Sequence, residues 1–150
     1  MVVDWDKDGL NDLVVLDHEG YLAFFKRQMR GKRLVLLPGE HIFQEGEKVM
    51  RFSNRSAGGS GRRKLCIVDW DRDGLRDILV NSINVDFIRN VGDKDGKVIF
   101  KNMGKLANRK LAGHTTSPTT VDWNGDGIRD LLVGAEDGFF YYMQRVIKFD

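Results

Sequence analysis

A chain of 150 residues, 41% hydrophobic and 31% charged, has the length and composition of one globular domain. No apolar run approaches the ~18 residues of a membrane span, and the lone Cys66 excludes an internal disulfide scaffold and any multi-cysteine zinc or iron–sulfur site. Seventeen glycines beside two prolines point to many tight turns and an all-β fold, while 24 bases nearly balance 22 acids.

In chain order, Met1 is followed directly by Val2, Val3 and Asp4, with neither the basic nor the apolar region of a secretory leader. The expectation is a cytosolic chain, a mature form or a piece of something longer. Val2–Val3 is a short β-branched run that leads into an acidic stretch, and the apolar run Leu13–Leu16 leaves it. The turn DHEG at 17–20 and the aromatic run Tyr21–Lys26 come next, then a weaker strand, Arg33–Leu37. A polar connection covers about 44–64. The same series recurs as Cys66–Val68, an acidic stretch, Ile78–Val80, Val85–Arg89 and Lys97–Lys101, then a second connection at about 102–117. It recurs again as an acidic stretch, Leu131–Val133, the turn AEDG at 135–138, and Phe139–Met143. The best helical candidate, Lys101–Leu111, is short and interrupted by Gly104.

Three copies of one pattern are therefore present: VVDWDKDGLNDL at 2–13, IVDWDRDGLRDI at 67–78 and TVDWNGDGIRDL at 120–131. All three tryptophans, Trp5, Trp70 and Trp123, share one register. The first and third copies align without a gap from 3–27 to 121–145. A period of roughly 50–60 residues exceeds that of helical solenoids and suits a four-stranded propeller blade. The repeats are expected at about 1–64, 65–117 and 118–150.

Each acidic loop carries oxygen side chains at positions 1, 3, 5 and 9 and glycine at position 6. These are Asp4, Asp6, Asp8 and Asp12 with Gly9; Asp69, Asp71, Asp73 and Asp77 with Gly74; and Asp122, Asn124, Asp126 and Asp130 with Gly127. Alternate oxygens on a curled loop converge on one point, which suits calcium with its six to eight hard ligands. Position 7 offers a backbone carbonyl, from Leu10, Leu75 or Ile128, and an apolar side chain able to anchor the loop. EF-hands end in Glu at position 12 on a helix, so these loops differ. Magnesium keeps its waters, and zinc wants His or Cys. A single Asp-Gly run can be a simple Asx-turn; three in register argue for about three bound Ca²⁺.

The pattern D-x-[DN]-x-D-G-x-x-D between two β runs, followed by L-x-V-G-x-x-D-G and an aromatic strand, resembles the FG-GAP/VCBS repeat. The third copy, VDWNGDGIRDLLVGAEDGFFYY, matches best, and the second departs at Asn81. The resemblance implies an all-β partial β-propeller of about three blades of four-stranded antiparallel sheet. It implies that the loop residues named above are calcium ligands, with the metal structural and on the face opposite the ligand-binding face. Blade packing is then the expected role of the tryptophans.

Half of the acids, 11 of 22, lie in the loops, leaving 24 bases against 11 acids elsewhere. Three bound Ca²⁺ would raise the formal net charge from +2 to about +8. The bases cluster in the connections, where Arg62, Arg63, Lys64, Arg109, Lys110 and His114 are candidates for binding an acidic ligand. GGSGRRK at 58–64 lacks the ending of a phosphate loop, and nucleic acid is disfavoured because the aromatics lie away from the basic clusters. A propeller closes with about four to eight blades, so the partner is expected to be the rest of a longer chain, or further copies that complete the ring. The reading is a calcium-binding module that holds carbohydrate or protein at the cell surface, outside the cell or in the periplasm, with no catalytic residues assigned. The rivals are part of a propeller polysaccharide lyase or glycoside hydrolase, for which His114 with Arg109 is the hint, and a purely structural module.

Overall fold

The computed structural model describes residues 1–52, 63–111 and 116–145. Among them every regular element is a strand, as the glycine-rich, repeat-bearing sequence predicts. Among the described residues no helix is long and apolar enough to cross a membrane. The strands are β1 (Val2–Val3), β2 (Asp12–Leu16), β3 (Leu22–Phe25), β4 (Arg27–Arg30), β5 (Arg33–Leu36), β6 (Phe43–Glu45) and β7 (Lys48–Val49). They continue with β8 (Leu65–Val68), β9 (Asp77–Asn81), β10 (Val85–Lys94), β11 (Lys97–Lys105), β12 (Thr116–Val121), β13 (Asp130–Ala135) and β14 (Phe140–Met143). They form two compact units, Met1–Arg63 with Arg89–Lys101, and Lys64–Ile88 with Asn102–Asp150. The strands β10 and β11 thus each contribute to both units.

In the first unit β1, β2 and β3 make an antiparallel sheet in which Leu13 lies between Val2 and Phe25. Alternation buries Val14 and Leu22 on one face and leaves Val2 on the other 67% exposed. The buried face carries an aromatic cluster. Trp5 meets Phe43 edge-on with ring centroids 4.9 Å apart, and Phe24 and Phe100 each lie at 6.4 Å. Such pairs add about 0.5–1.5 kcal/mol each beyond the area they bury. Phe43 and Phe100 reach the cluster from β6 and β11, which pair in parallel with Phe43 opposite Val98.

In the second unit β8, β9 and the start of β10 form one antiparallel sheet, and β12, β13 and β14 another. All five residues of β9 are buried, so its run DILVN reads as a central strand covered on both faces. β12 packs on β8 and β9. The core between them contains Cys66, Val68, Leu79, Val85, Leu111, Leu131 and Val133, with Trp70, Phe87, Tyr141 and Met143 at its border. Burial raises the Cys66 thiol pKa, so this cysteine is a small apolar filler. The 106–111 segment is tied down by Leu106 N–H to Val85 O and Leu111 N–H to Ile83 O, both 2.9 Å.

Three details differ from the expected four-stranded antiparallel sheets. Among the described residues, the sheets beside the first and third loops have three strands each. Arg33–Leu36 does not add to β3 but folds back on β4, because Gly31 reverses the chain at φ 61°. The outer edge of β3 is met instead by Glu40, whose amide and carbonyl pair with those of Phe24 at 2.9 Å. Gly39 permits that approach, since a Cβ there would lie 2.6 Å from the Phe25 ring. The connection expected at 44–64 contains a short hairpin, Phe43–Glu45 with Lys48–Val49. Short strands of mixed polarity give little period-2 signal, and parallel partners distant in sequence give none.

Candidate metal centre

Each acidic loop builds itself by the same hydrogen bonds. The position-1 carboxylate accepts the amide of the position-6 glycine: Asp4 from Gly9 at 3.2 Å, Asp69 from Gly74 at 3.0 Å and Asp122 from Gly127 at 3.0 Å. Position 3 accepts the amide of position 5, and position 5 that of position 7, as in Asx-turns. Gly9, Gly74 and Gly127 have φ of 87°, 90° and 79°, so the glycine at position 6 is a backbone requirement. Position 4 is also left-handed, at Lys7 (61°), Arg72 (65°) and Gly125 (75°), and only the third copy places glycine there.

The fourth carboxylate ties the loop to its sheet. Asp12, Asp77 and Asp130 are buried. They accept the position-2 tryptophan amides, from Trp5 at 3.1 Å, Trp70 at 2.8 Å and Trp123 at 3.3 Å. Asp12 and Asp130 also accept the amides of Arg27 (2.7 Å) and Arg145 (2.8 Å) beyond the third strand. The Arg145 amide, with the Tyr142 hydroxyl and Trp123 amide, holds the Asp130 carboxyl below the usual range.

Two groups of carboxylates converge: Asp4, Asp6 and Asp8, and Asp69, Asp71 and Asp77. Within each group one oxygen per residue lies within 4.8 Å of the others. Ligands on opposite sides of an ion with ~2.4 Å contacts are that far apart. Asp12 and Asp73 stand outside these groups. In the third loop Asp122, Asn124 and Asp126 are exposed, and the Asn124 amide donates to Asp126 Oδ2 at 2.9 Å. Leu10 and Ile128 are half-buried, whereas Leu75 is 37% exposed and does not anchor its loop in a core. Two atoms separate the loops further. Oδ1 of Asp4 and Oδ1 of Asp69 are buried without any hydrogen-bond partner. Asp122 Oδ1 instead accepts the amides of Gly125 (2.8 Å) and Asp126 (3.1 Å).

The Lys26 ammonium bonds Asp6 and lies 3.4 Å from Asp8 Oδ2. This pairing lowers the Asp6 carboxyl pKa and raises that of Lys26. The sequence reading gave Lys26 no role, and a separation of 20 residues offers no local spacing signal.

The tryptophans take three situations. Trp5 and Trp70 are half-buried, the latter with the Arg145 guanidinium 4.8 Å over its ring, while Trp123 is 65% exposed. Among the proposed ligand-binding bases, Arg62 and His114 lie outside the described residues. Arg63, Lys64, Arg109 and Lys110 are exposed. Arg63 Nε donates to Phe52 O at 2.9 Å, and the Arg109 guanidinium lies 5.7 Å over Tyr141. A cluster unseen in the sequence unites His41 Nε2 with Asp17 Oδ2 at 3.0 Å, Tyr21 at 5.1 Å from the His41 ring, and Arg51 at 4.9 Å over Tyr21.

Residues 69–133 match the family model described as an FG-GAP-like repeat, from the first acid of the second loop into β13. That stretch of the chain is similar to an FG-GAP-like repeat. No curated protein and no solved structure matches the chain. The FG-GAP-like stretch takes in the second and third acidic loops whole, and such repeats point to a module of β-propeller type.

Proposed function

We propose that the acidic loops are calcium sites that lock the repeats, and that the chain is a propeller-type module that binds an acidic glycan or a protein outside the cell. The observation that carries the calcium reading is the pair of buried, unpartnered oxygens on Asp4 and Asp69. A buried carboxylate oxygen with no donor is costly, and a cation in contact with it removes that cost. Asp4, Asp6 and Asp8 hold one ion, and Asp69, Asp71 and Asp77 another. Asp122, Asn124 and Asp126 form the third and weakest site, since Asn124 brings no charge. Bound calcium supplies positive charge at fixed oxygens, and the residues themselves supply the loop geometry. Calorimetry with calcium and with chelator tests this. At 100 times a Kd of roughly 10⁻⁴–10⁻³ M each site adds ~2.7 kcal/mol. An unchanged melting temperature overturns it.

The binding reading rests on the basic surface left once the loops are neutralised. Lys64 and Lys110 are exposed, so their joint replacement by Ser should weaken binding to a uronate or sulfated glycan and spare calcium affinity. Equal binding to a neutral glycan of the same length defeats it. The Asp17–His41 pair beside Tyr21 and Arg51 favours a second reading, lyase or hydrolase chemistry. Release of unsaturated uronate from acidic polysaccharide, lost in His41→Ala, would establish that one.

A further inference from the structure

The three repeats treat one face of their sheets differently. The face beside the position-2 tryptophan is covered in the first copy, where Val14 is 1% and Leu22 0% exposed. In the second copy it is covered too, with Leu79 at 0%. In the third copy the equivalent surface is bare: Phe140 is 78%, Trp123 65% and Tyr142 41% exposed. Tyr142 and Trp123 still face each other, with ring centroids 6.2 Å apart. Three large aromatics side by side form an apolar patch of the kind that marks an interaction surface.

The second unit shows what covers such a face. The tryptophan face of the second repeat is covered by the opposite face of the third repeat's sheet, through Leu131, Val133, Tyr141 and Met143. Arg145 completes the cover, its guanidinium stacked 4.8 Å over the Trp70 ring. The gapless alignment of the first and third copies assigns the same residues in the first: Leu13, Val15, Ala23, Phe25 and Arg27. Pairing registers agree, since Leu131 lies opposite Met143 and Leu13 opposite Phe25. On that first face Val2, beside Leu13, is 67% exposed, while Ala23 is buried and Phe25 lies against Gly39. Arg27 would stand over Trp123 as Arg145 stands over Trp70.

We propose that the Trp123–Phe140–Tyr142 face of one chain binds the Val2–Leu13–Phe25 face of a second copy, with Arg27 of that copy stacked on Trp123. The contact is heterologous, head to tail, so a pair of chains joined by it keeps one unused face at each end. It rests on the repeat reading and not on calcium occupancy, which titration of the same samples measures separately.

Sedimentation of the full 150-residue chain over a concentration series tests it. The wild type should form dimers and larger species as concentration rises. Phe140→Ser and Val2→Asp each alter a side chain already exposed to water, so both should keep the wild-type melting temperature and circular dichroism. Each should weaken self-association by at least about ten-fold. Mixed in equal amounts, the two variants should form a one-to-one dimer and nothing larger, because each retains one sound face. Arg27→Ser should weaken association with no change in fold. If Val2→Asp dimerises as the wild type does while Phe140→Ser does not, the aromatic faces pair with each other and the head-to-tail contact is wrong. A wild type that stays monomeric throughout overturns the proposal outright.

Discussion

The first and third acidic loops share a hydrogen-bond frame and balance their charge in opposite ways. The first accepts a left-handed lysine at position 4, leaves Asp4 Oδ1 buried and unpartnered, and draws Lys26 onto Asp6. The third uses Gly125 at position 4, turns two amides onto Asp122 Oδ1, and replaces one carboxylate by Asn124. One loop keeps a buried, unpartnered carboxylate oxygen and draws in a single ammonium, and the other spreads its charge over backbone donors. One shared motif therefore covers two different ways of satisfying its first carboxylate.

The largest test separates frame from metal. Asp12→Ala removes the acceptor for the Trp5 and Arg27 amides. Each amide left buried and unpaired costs about 1–3 kcal/mol, so the loss for the two should be ~2–6 kcal/mol in a denaturant melt even with chelator present. A loss seen only with calcium would make Asp12 a ligand first. Next, Asp4→Ala should abolish up to ~2.7 kcal/mol of calcium-dependent stabilisation at saturating ion, and Asp126→Ala less. The reverse order in paired thermal scans would reverse the comparison.

Backbone strain gives a smaller effect. Gly125→Ala should destabilise by about 1–2 kcal/mol, whereas Lys7→Gly and Arg72→Gly should be neutral or stabilising by under ~1 kcal/mol. Equal losses at all three would mean that position 4 is not strained in the first two loops. Smaller still, Lys26→Met gives up a surface ion pair worth ~0–1 kcal/mol and should raise calcium affinity several-fold at the first loop alone. Titration of the single variant reads this, and unchanged affinity would show that the ammonium does not compete with the ion.

The smallest effect concerns pH. Burial raises the Asp17 pKa, but the Tyr21 amide and then His41 outweigh it, leaving that carboxyl below its usual 3.8. A depressed carboxylate stabilises above the unfolded value and loses that contribution as pH falls through the folded one. His41→Ala should therefore flatten the stability profile slightly below about pH 4, by well under ~1 kcal/mol given the exposure of both groups. A profile steeper than that of the wild type would contradict the pairing.

What was legible in the sequence follows from range. The strands flanking the loops, the glycine at position 6 and the hairpin turns at Gly20 and Gly138 are decided within a few residues, and all stand in the structure. The convergence of Asp4, Asp6 and Asp8 is equally local. Lys26 on Asp6, His41 on Asp17 and Phe43 beside Val98 depend on chain returning from 20, 24 and 55 residues away, where no periodicity reports it. The structural duty of Asp12 was hidden differently, because a carboxylate that accepts backbone amides and one expected to hold an ion are the same letter. The exposure of Trp123 was likewise hidden by a register it shares with two covered tryptophans.

The parallel pairing of β6 with β11 has a consequence in time. Phe43 shares its cluster with Phe100, which leaves the ribosome 57 residues later. At about 5–20 residues per second that is a wait of roughly 3–11 s. Through that interval the nascent first unit presents Trp5, Phe24 and Phe43 without their final neighbour. A chaperone that captures aromatic segments would have its longest opportunity there, and slowing synthesis between residues 44 and 100 should lower the soluble yield more than slowing it after 101.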